Sequence, residues 1–290
     1  SQTRSTFPRK LLSSWPSKAG FPPLGFGSHL QREKGSCLTG LNSIPSTAVA
    51  KTILRGDSGA SVPFTWALVD AEHGLISDVH YYDLVNAVGH EGASPIIRIP
   101  SGEEWMIKRA LDAGAHGVMT PMCHSEVDAA KVVSYAKYPP LGTRGYGPMF
   151  APHAFPGTEP GAEYDTLAQD VLVAVQIESR AGVENVAKIA EVDGVDVIFI
   201  GPFDLSKQMG VERGGQEHEA ATQKALNAAH AANKKCAIFC TDGAAALIRA
   251  KQGFDMISVN TDVGVLKRGM ANDIRTANGE GQKVHHRQGY

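Results

Sequence analysis

Two carboxylates stand at positions where an unpaired charge is costly. Glu178 follows the apolar run Val173-Ala-Val through Gln176 and Ile177, and Asp204 follows Val197-Ile-Phe-Ile through Gly201, Pro202 and Phe203. An acid at the end of such a run loses hydration on folding unless a cation neutralises it. Two carboxylates without His or Cys make a hard oxygen site, which takes Mg2+ or Mn2+ and leaves positions open for water and substrate. The competing reading is a pair of structural salt bridges to Arg180 or Lys207, and these residues by themselves weigh the two evenly. Asp70 and His73 are spaced so that the carboxylate can orient the imidazole and stabilise its charged form, an acid–base dyad. A single His at a strand end is more often structural, but this one shares a polar cluster with Asp70 and Glu72. Arg98 interrupts Pro95-Ile-Ile-Arg-Ile-Pro100, so its guanidinium pairs with Asp70 or Glu72, faces a substrate anion, or does both. A Schiff-base mechanism needs a lysine at a strand end, and none is there: Lys234 and Lys235 precede a strand and Lys207 lies beyond Asp204. A metal then has to serve as the electron sink. His116, His124 and His153 read as bystanders, His124 being the best placed to face the site.

These residues converge only if the chain folds as repeated βα units. Apolar, β-branched runs at Cys37–Leu41, Trp66–Asp70, Pro95–Ile99, Gly117–Thr120, Val171–Ile177, Val197–Ile200, Cys236–Phe239 and Met256–Val259 alternate with helix-like stretches. Eight such strands predict a (β/α)8 TIM barrel, whose active site lies at the C-terminal strand ends. Ser101-Gly-Glu-Glu104 and Ser125-Glu-Val-Asp128 read as helix starts of the capping-box type, and Gly114 and Gly253 as helix ends. The Gly- and Pro-rich stretch Tyr138–Tyr164 is too long for an ordinary connection and reads as a functional loop over the strand ends. The barrel is expected over residues 36–276, after an extended arm at 1–35 and before a polar tail at 277–290. The tail's His285-His286 pair reads as solvated.

With 290 residues, 42% of them hydrophobic, the chain can bury one large core. A net charge of −2 offers no basic face for nucleic acid or an anionic membrane. The expected partner is a small molecule or another subunit. Four cysteines with no CxxC pair read as reduced thiols, no apolar run approaches a membrane span, and the protein is expected in the cytoplasm. The first thirty-two residues are basic and acid-free, a bias shared with mitochondrial presequences, but Pro8, Pro16, Pro22 and Pro23 break any amphipathic helix there.

Several motifs together resemble one family: Asp70-Ala-Glu-His-Gly74, Ile97-Arg-Ile-Pro100, Lys108-Arg-Ala-Leu-Asp-Ala-Gly-Ala115, Pro121-Met122, Tyr138-Pro-Pro-Leu-Gly-Thr-Arg-Gly145, Gln176-Ile-Glu178 and Gly201-Pro-Phe-Asp-Leu-Ser206. They are similar to the metal-dependent class II 2-oxo-acid aldolases of the HpcH/HpaI aldolase/citrate lyase family, in the phosphoenolpyruvate/pyruvate superfamily. Phe203 resembles the fungal branch that includes macrophomate synthase. The resemblance covers Leu38 to Leu266. It implies Glu178 and Asp204 as ligands of Mg2+, Mn2+ or Co2+, His73 supported by Asp70 as the acid–base group, and Arg98 as stabiliser of an enolate. It implies that Gln176, with Gly201, Pro202, Phe203 and the amides around Phe203 and Asp204, holds a pyruvate carboxylate. The implied activity is cleavage or formation of 4-hydroxy-2-oxo acids through a pyruvate enolate held at the metal, with oxaloacetate decarboxylation. Implied too is a homohexamer whose barrels exchange their last helix. The proline-rich arm, the Arg55–Phe64 insertion and the Met149–Pro156 loop depart from compact bacterial members, and the resemblance implies that acceptor specificity is set at these places. The rivals are a pyrone-condensing synthase, a coenzyme A thioester lyase and a catalytically silent barrel. Slow aldol activity beside fast oxaloacetate decarboxylation marks the first, a further C-terminal segment the second, and failure to bind metal the third.

Overall fold

The computed structural model describes residues 37–56, 64–155, 158 and 161–280. The arm before Cys37, most of the Arg55–Phe64 insertion and the tail beyond residue 280, with its histidine pair, lie outside them. The eight apolar runs form β1 (Cys37–Asn42), β2 (Trp66–Asp70), β3 (Ser94–Arg98), β4 (Gly117–Thr120), β5 (Leu172–Ile177), β6 (Val197–Ile200), β7 (Lys235–Cys240) and β8 (Met256–Thr261). They pair in chain order, all parallel, and β8 closes on β1. Strands buried on both faces need continuous apolar sequence. One set of side chains, including Trp66, Leu68, Ile96, Met119 and Phe199, fills the barrel interior. The alternate set, including Val69, Ile97, Val118, Val175 and Ile198, packs outward against the helices.

The helices are α1 (Thr47–Leu54), α2 (Asp78–His90), α3 (Glu104–Asp112), α4 (Glu126–Ala136), α5 (Ala162–Gln169), α6 (Arg180–Ala190), α7 (Pro202–Met209), α8 (Gln216–Ala231), α9 (Gly243–Gln252) and α10 (Asp262–Ala277). Ser125 caps α4 by accepting the Asp128 amide. The Ser101 cap does not form. Helix α3 starts at Glu104 behind Glu103, with no side-chain cap bond. Ser101 and Gly102 make the turn out of β3, where a side chain on Gly102 would press on Val132. Gly114 and Gly253 reverse the chain after α3 and α9 with φ of +101° each, a conformation that only glycine adopts without strain.

The described residues of the Tyr138–Tyr164 stretch lie on the face opposite to the one expected. The stretch follows α4, which runs antiparallel to the strands and therefore ends beside their N-terminal ends. There a short 3-10 turn, Ala151–Ala154, is fastened by His116, just ahead of β4, whose Nε2–H donates to the Ala154 carbonyl at 2.8 Å. Burial lowers the His116 pKa to about 4, keeping the ring neutral. Lys137 Nζ donates to the carbonyls of Gln169 and Val171 at 2.8 and 2.6 Å, closing the same connection. The Met149–Phe155 part of the loop thus belongs to the barrel's floor in its own subunit. At the other end Asp262 joins β8 to β1, accepting the Ser43 and Ile44 amides at 2.7 and 2.9 Å.

Candidate active site

Asp70 closes β2 and Arg98 closes β3, and the register sets the two opposite each other. Arg98 donates through Nε to Asp70 Oδ1 at 2.8 Å and through Nη2 to Oδ2 at 2.7 Å, a two-pronged geometry that lysine cannot supply. Asp70 Oδ1 also accepts the backbone N–H groups of Glu72 and His73, at 3.1 and 3.3 Å. Burial opposes the charge on Arg98, but Asp70, Glu72 and Glu178 outweigh it and raise its pKa. The expected partnership of Asp70 with the His73 ring takes another form. Asp70 is occupied by Arg98 and the backbone, while His73 Nε2 lies 3.6 Å from Glu72 Oε1. Glu72 Oε2 is 3.3 Å from Arg98 Nε, so Glu72 sits between the cation and the imidazole. Its spacing in Asp70-Ala-Glu-His73 was the available signal for that position.

Across the mouth, Glu178 projects from the end of β5 and is 2% exposed. Its Oε1 accepts Gln176 Nε2–H at 2.6 Å, and its Oε2 accepts the Met122 amide at 3.1 Å. Met122 presents that amide from a left-handed backbone, φ 55°. In the sequence Met122 stands only within the Pro121-Met122 motif, and nothing there marks its amide as a partner of Glu178. Because β5 and β6 pair Ile177 with Ile200, Glu178 falls beside Gly201. A Cβ on Gly201 would stand 1.9 Å from Glu178 Oε1, so the absent side chain is what makes room for the carboxylate. Asp204 lies in the first turn of α7, where the helix dipole favours a negative charge.

Neither structural salt bridge that competes with a metal is formed. Arg180 turns away to Glu217 Oε1 at 3.0 Å and to the Met209 carbonyl at 2.8 Å. Lys207 is exposed and, among the described residues, pairs with no carboxylate. Burial pushes the Glu178 carboxyl up to about 8, with Glu72 and Asp204 adding to it and the Met122 amide and Arg98 opposing. Burial raises the Glu72 pKa as well. Gln176 Oε1 is buried with no hydrogen-bond partner. An acidic pocket short of positive charge, with an unused carbonyl oxygen beside it, fits a hard divalent cation. Among the described residues no group of three or more His, Cys, Asp or Glu side chains could hold a metal. Two carboxylates would therefore share it with water or substrate. His124 reaches the rim, its Nδ1 2.7 Å from the Ser179 hydroxyl next to Glu178.

The sequence profile of the HpcH/HpaI aldolase/citrate lyase family matches residues 58–268. The chain belongs to this family. A hydroxypyruvate/pyruvate aldolase of Chromohalobacter salexigens is 35% identical over 215 residues, covering 72% of this chain and 83% of the relative. An HpcH/HpaI aldolase/citrate lyase family protein from Burkholderia cenocepacia superposes with a TM-score of 0.77 at 28% identity, covering 87% of this chain and 98% of its own. Macrophomate synthase shares the fold, with a TM-score of 0.73 at 24% identity over 86% of each chain. As an HpcH/HpaI aldolase, the protein is a carbon–carbon lyase on a TIM barrel. No helix among the described residues is long and apolar enough to cross a membrane.

Proposed function

We propose that the protein is a class II aldolase that cleaves and forms 4-hydroxy-2-oxo acids by way of pyruvate enolate, and that it also decarboxylates oxaloacetate. The observation that carries this reading is the Glu178–Asp204 pair, unpaired with Arg180 or Lys207 and facing Arg98 across one barrel mouth. Mg2+, or Mn2+ or Co2+, held by Glu178 and Asp204 would supply the Lewis acidity that takes up the charge of the enolate. Arg98, locked by Asp70, adds a fixed positive charge where that oxyanion develops. Gln176 and the first turn of α7, from Gly201 and Pro202 to Phe203, offer polar groups and helix-start amides to the carboxylate of the 2-oxo acid. His73, half-exposed at the rim beside Glu72, takes the proton of the C4 hydroxyl as the C3–C4 bond breaks. Decarboxylation yields the same enolate and needs no such base.

The unit in solution is read as a homohexamer with α10 exchanged between barrels. Val263, Leu266, Met270 and Ile274 form an apolar stripe along α10 that is about half exposed, as are Leu247 and Ile248 on α9. Buried, free Cys123, Cys236 and Cys240 suit the reducing cytoplasm. The test is a product survey in which pyruvate and a panel of aldehydes, and separately oxaloacetate, are incubated with enzyme and Mg2+ or Mn2+. New 4-hydroxy-2-oxo acids and pyruvate are the expected products. No condensation with any aldehyde and no decarboxylation would remove the reading.

A further inference from the structure

Beyond the residues assigned so far, one half-buried arginine beside the mouth, Arg213, pairs with no carboxylate among the described residues. Among the described arginines that are buried or half-buried, Arg98 holds Asp70, Arg144 holds Asp112 and Arg249 holds Glu219. The fourth, Arg213, forms no ion pair or hydrogen bond with any described residue; its guanidinium carbon lies 3.9 Å above the ring of Phe203. Phe203 is the neighbour of Asp204 in the chain, and its ring centroid is 6.0 Å from that of Phe239 on β7. The three side chains make a wall of two aromatic rings ending in a charge.

The loop that carries Arg213 is fixed in place by its neighbours. Helix α7 leads away from the mouth, and residues 210–215 bring the chain back to start α8. Buried His218, in the first turns of α8, ties that return to the end of β6. Its Nε2–H donates to the Pro202 carbonyl at 2.9 Å, and its Nδ1 accepts the Gly214 amide at 3.3 Å. Arg180 clamps the other side through the Met209 carbonyl and Glu217. The residue next to Gly214 is Arg213, so its position over Phe203 follows from a loop pinned at both ends.

We propose that Arg213 is a specificity-determining residue that recognises a carboxylate at the far end of the acceptor aldehyde. This rests on the aldolase reading and narrows it to ω-carboxy aldehydes, whose cleavable adducts are 4-hydroxy-2-oxo dicarboxylic acids. The reacting end of the acceptor must lie toward Asp204 and Glu178, methylene groups pass along the Phe203 and Phe239 rings, and the terminal carboxylate meets the unpaired guanidinium. A cation already stacked on a ring is preorganised, so it binds an anion with little ordering cost.

The test is a pair of acceptors of equal chain length, 4-oxobutanoate and butanal, each condensed with pyruvate by the metal-loaded enzyme. The quantity read is the ratio of kcat/KM for the charged over the uncharged aldehyde. Wild type should favour 4-oxobutanoate; Arg213→Gln should lower the ratio by about 10- to 100-fold, the range of a charge-assisted hydrogen bond, mainly through KM, and Arg213→Lys should restore part of it. A ratio unchanged within about twofold in Arg213→Gln, or a wild type with no preference, overturns the assignment while leaving the aldolase reading intact. A wild type that condenses neither aldehyde overturns both. Thermal melts of each variant establish that the loop change has not unfolded the barrel.

Discussion

Replacing Gly201 with alanine should remove the metal site without touching a ligand. The backbone at Gly201, φ −92° and ψ 92°, is open to alanine, so the strand-to-helix turn survives. The new methyl group would stand 1.9 Å from Glu178 Oε1, 2.8 Å from its Cδ and 2.9 Å from its Cγ. Non-bonded contacts settle at about 3.5 Å, which drives the carboxylate back by roughly 1.5 Å. A ligand oxygen of Mg2+ sits at about 2.0–2.1 Å with a tolerance of about 0.2 Å, so Glu178 can no longer reach the ion. Overpacking of this kind costs about 1–3 kcal/mol, too little to unfold the barrel. Metal affinity should fall by at least 10- to 100-fold, and kcat/KM on the order of 10²-fold or more from misplacement alone. Calorimetric titration with Mg2+ or Mn2+, beside steady-state pyruvate release and a thermal melt, reads all three. A Gly201→Ala enzyme with wild-type metal affinity and turnover would refute the reasoning.

Arg98→Ala should depress aldol cleavage and oxaloacetate decarboxylation alike, on the order of 10²-fold, and destabilise the fold by about 3–5 kcal/mol because it strands buried Asp70; denaturant melts and both assays check this. His73→Ala should lower aldol cleavage by roughly 10²–10⁴-fold yet spare much of the decarboxylation, and an equal fall in both would end its role as base. Asp70→Asn should instead slow both reactions together, since its carboxylate holds Arg98 rather than the His73 ring; a defect confined to aldol cleavage would contradict that. Metal affinity should tighten about tenfold per pH unit up to about 8 and then level, because Glu178 retains its proton below that value in the metal-free chain. By the same sign the metal-free fold loses stability as pH climbs from the ordinary carboxylate range towards 8, and calorimetry between pH 6 and 9 that shows no pH dependence would count against both statements.

The barrel was legible because its strands are short apolar runs buried on both faces, and that burial leaves a continuous signature from Trp66–Asp70 to Val197–Ile200. The candidate carboxylates Glu178 and Asp204 stand out in the sequence for the same reason, as charges at the ends of those runs. Other features depend on relations that spacing does not carry. Asp70 is three residues from His73 but pairs with Arg98, because strand register outranks proximity along the chain. The Tyr138–Tyr164 stretch shows its length in sequence, while its face is set by the direction of α4. Gly201 reads as an ordinary helix-start glycine until Glu178 is placed beside it. Arg213 reads as a loop residue until His218 draws the loop back to the mouth.

Metal dependence is the claim on which the rest turns, and a single titration addresses it. Enzyme stripped with a chelator is assayed for pyruvate release from a 4-hydroxy-2-oxo acid, then resupplied with Mg2+ or Mn2+ in steps, with Glu178→Gln carried alongside. The expected result is loss of activity on stripping, saturable recovery in the wild type and none at the same concentrations in Glu178→Gln; full activity in the stripped enzyme would contradict it.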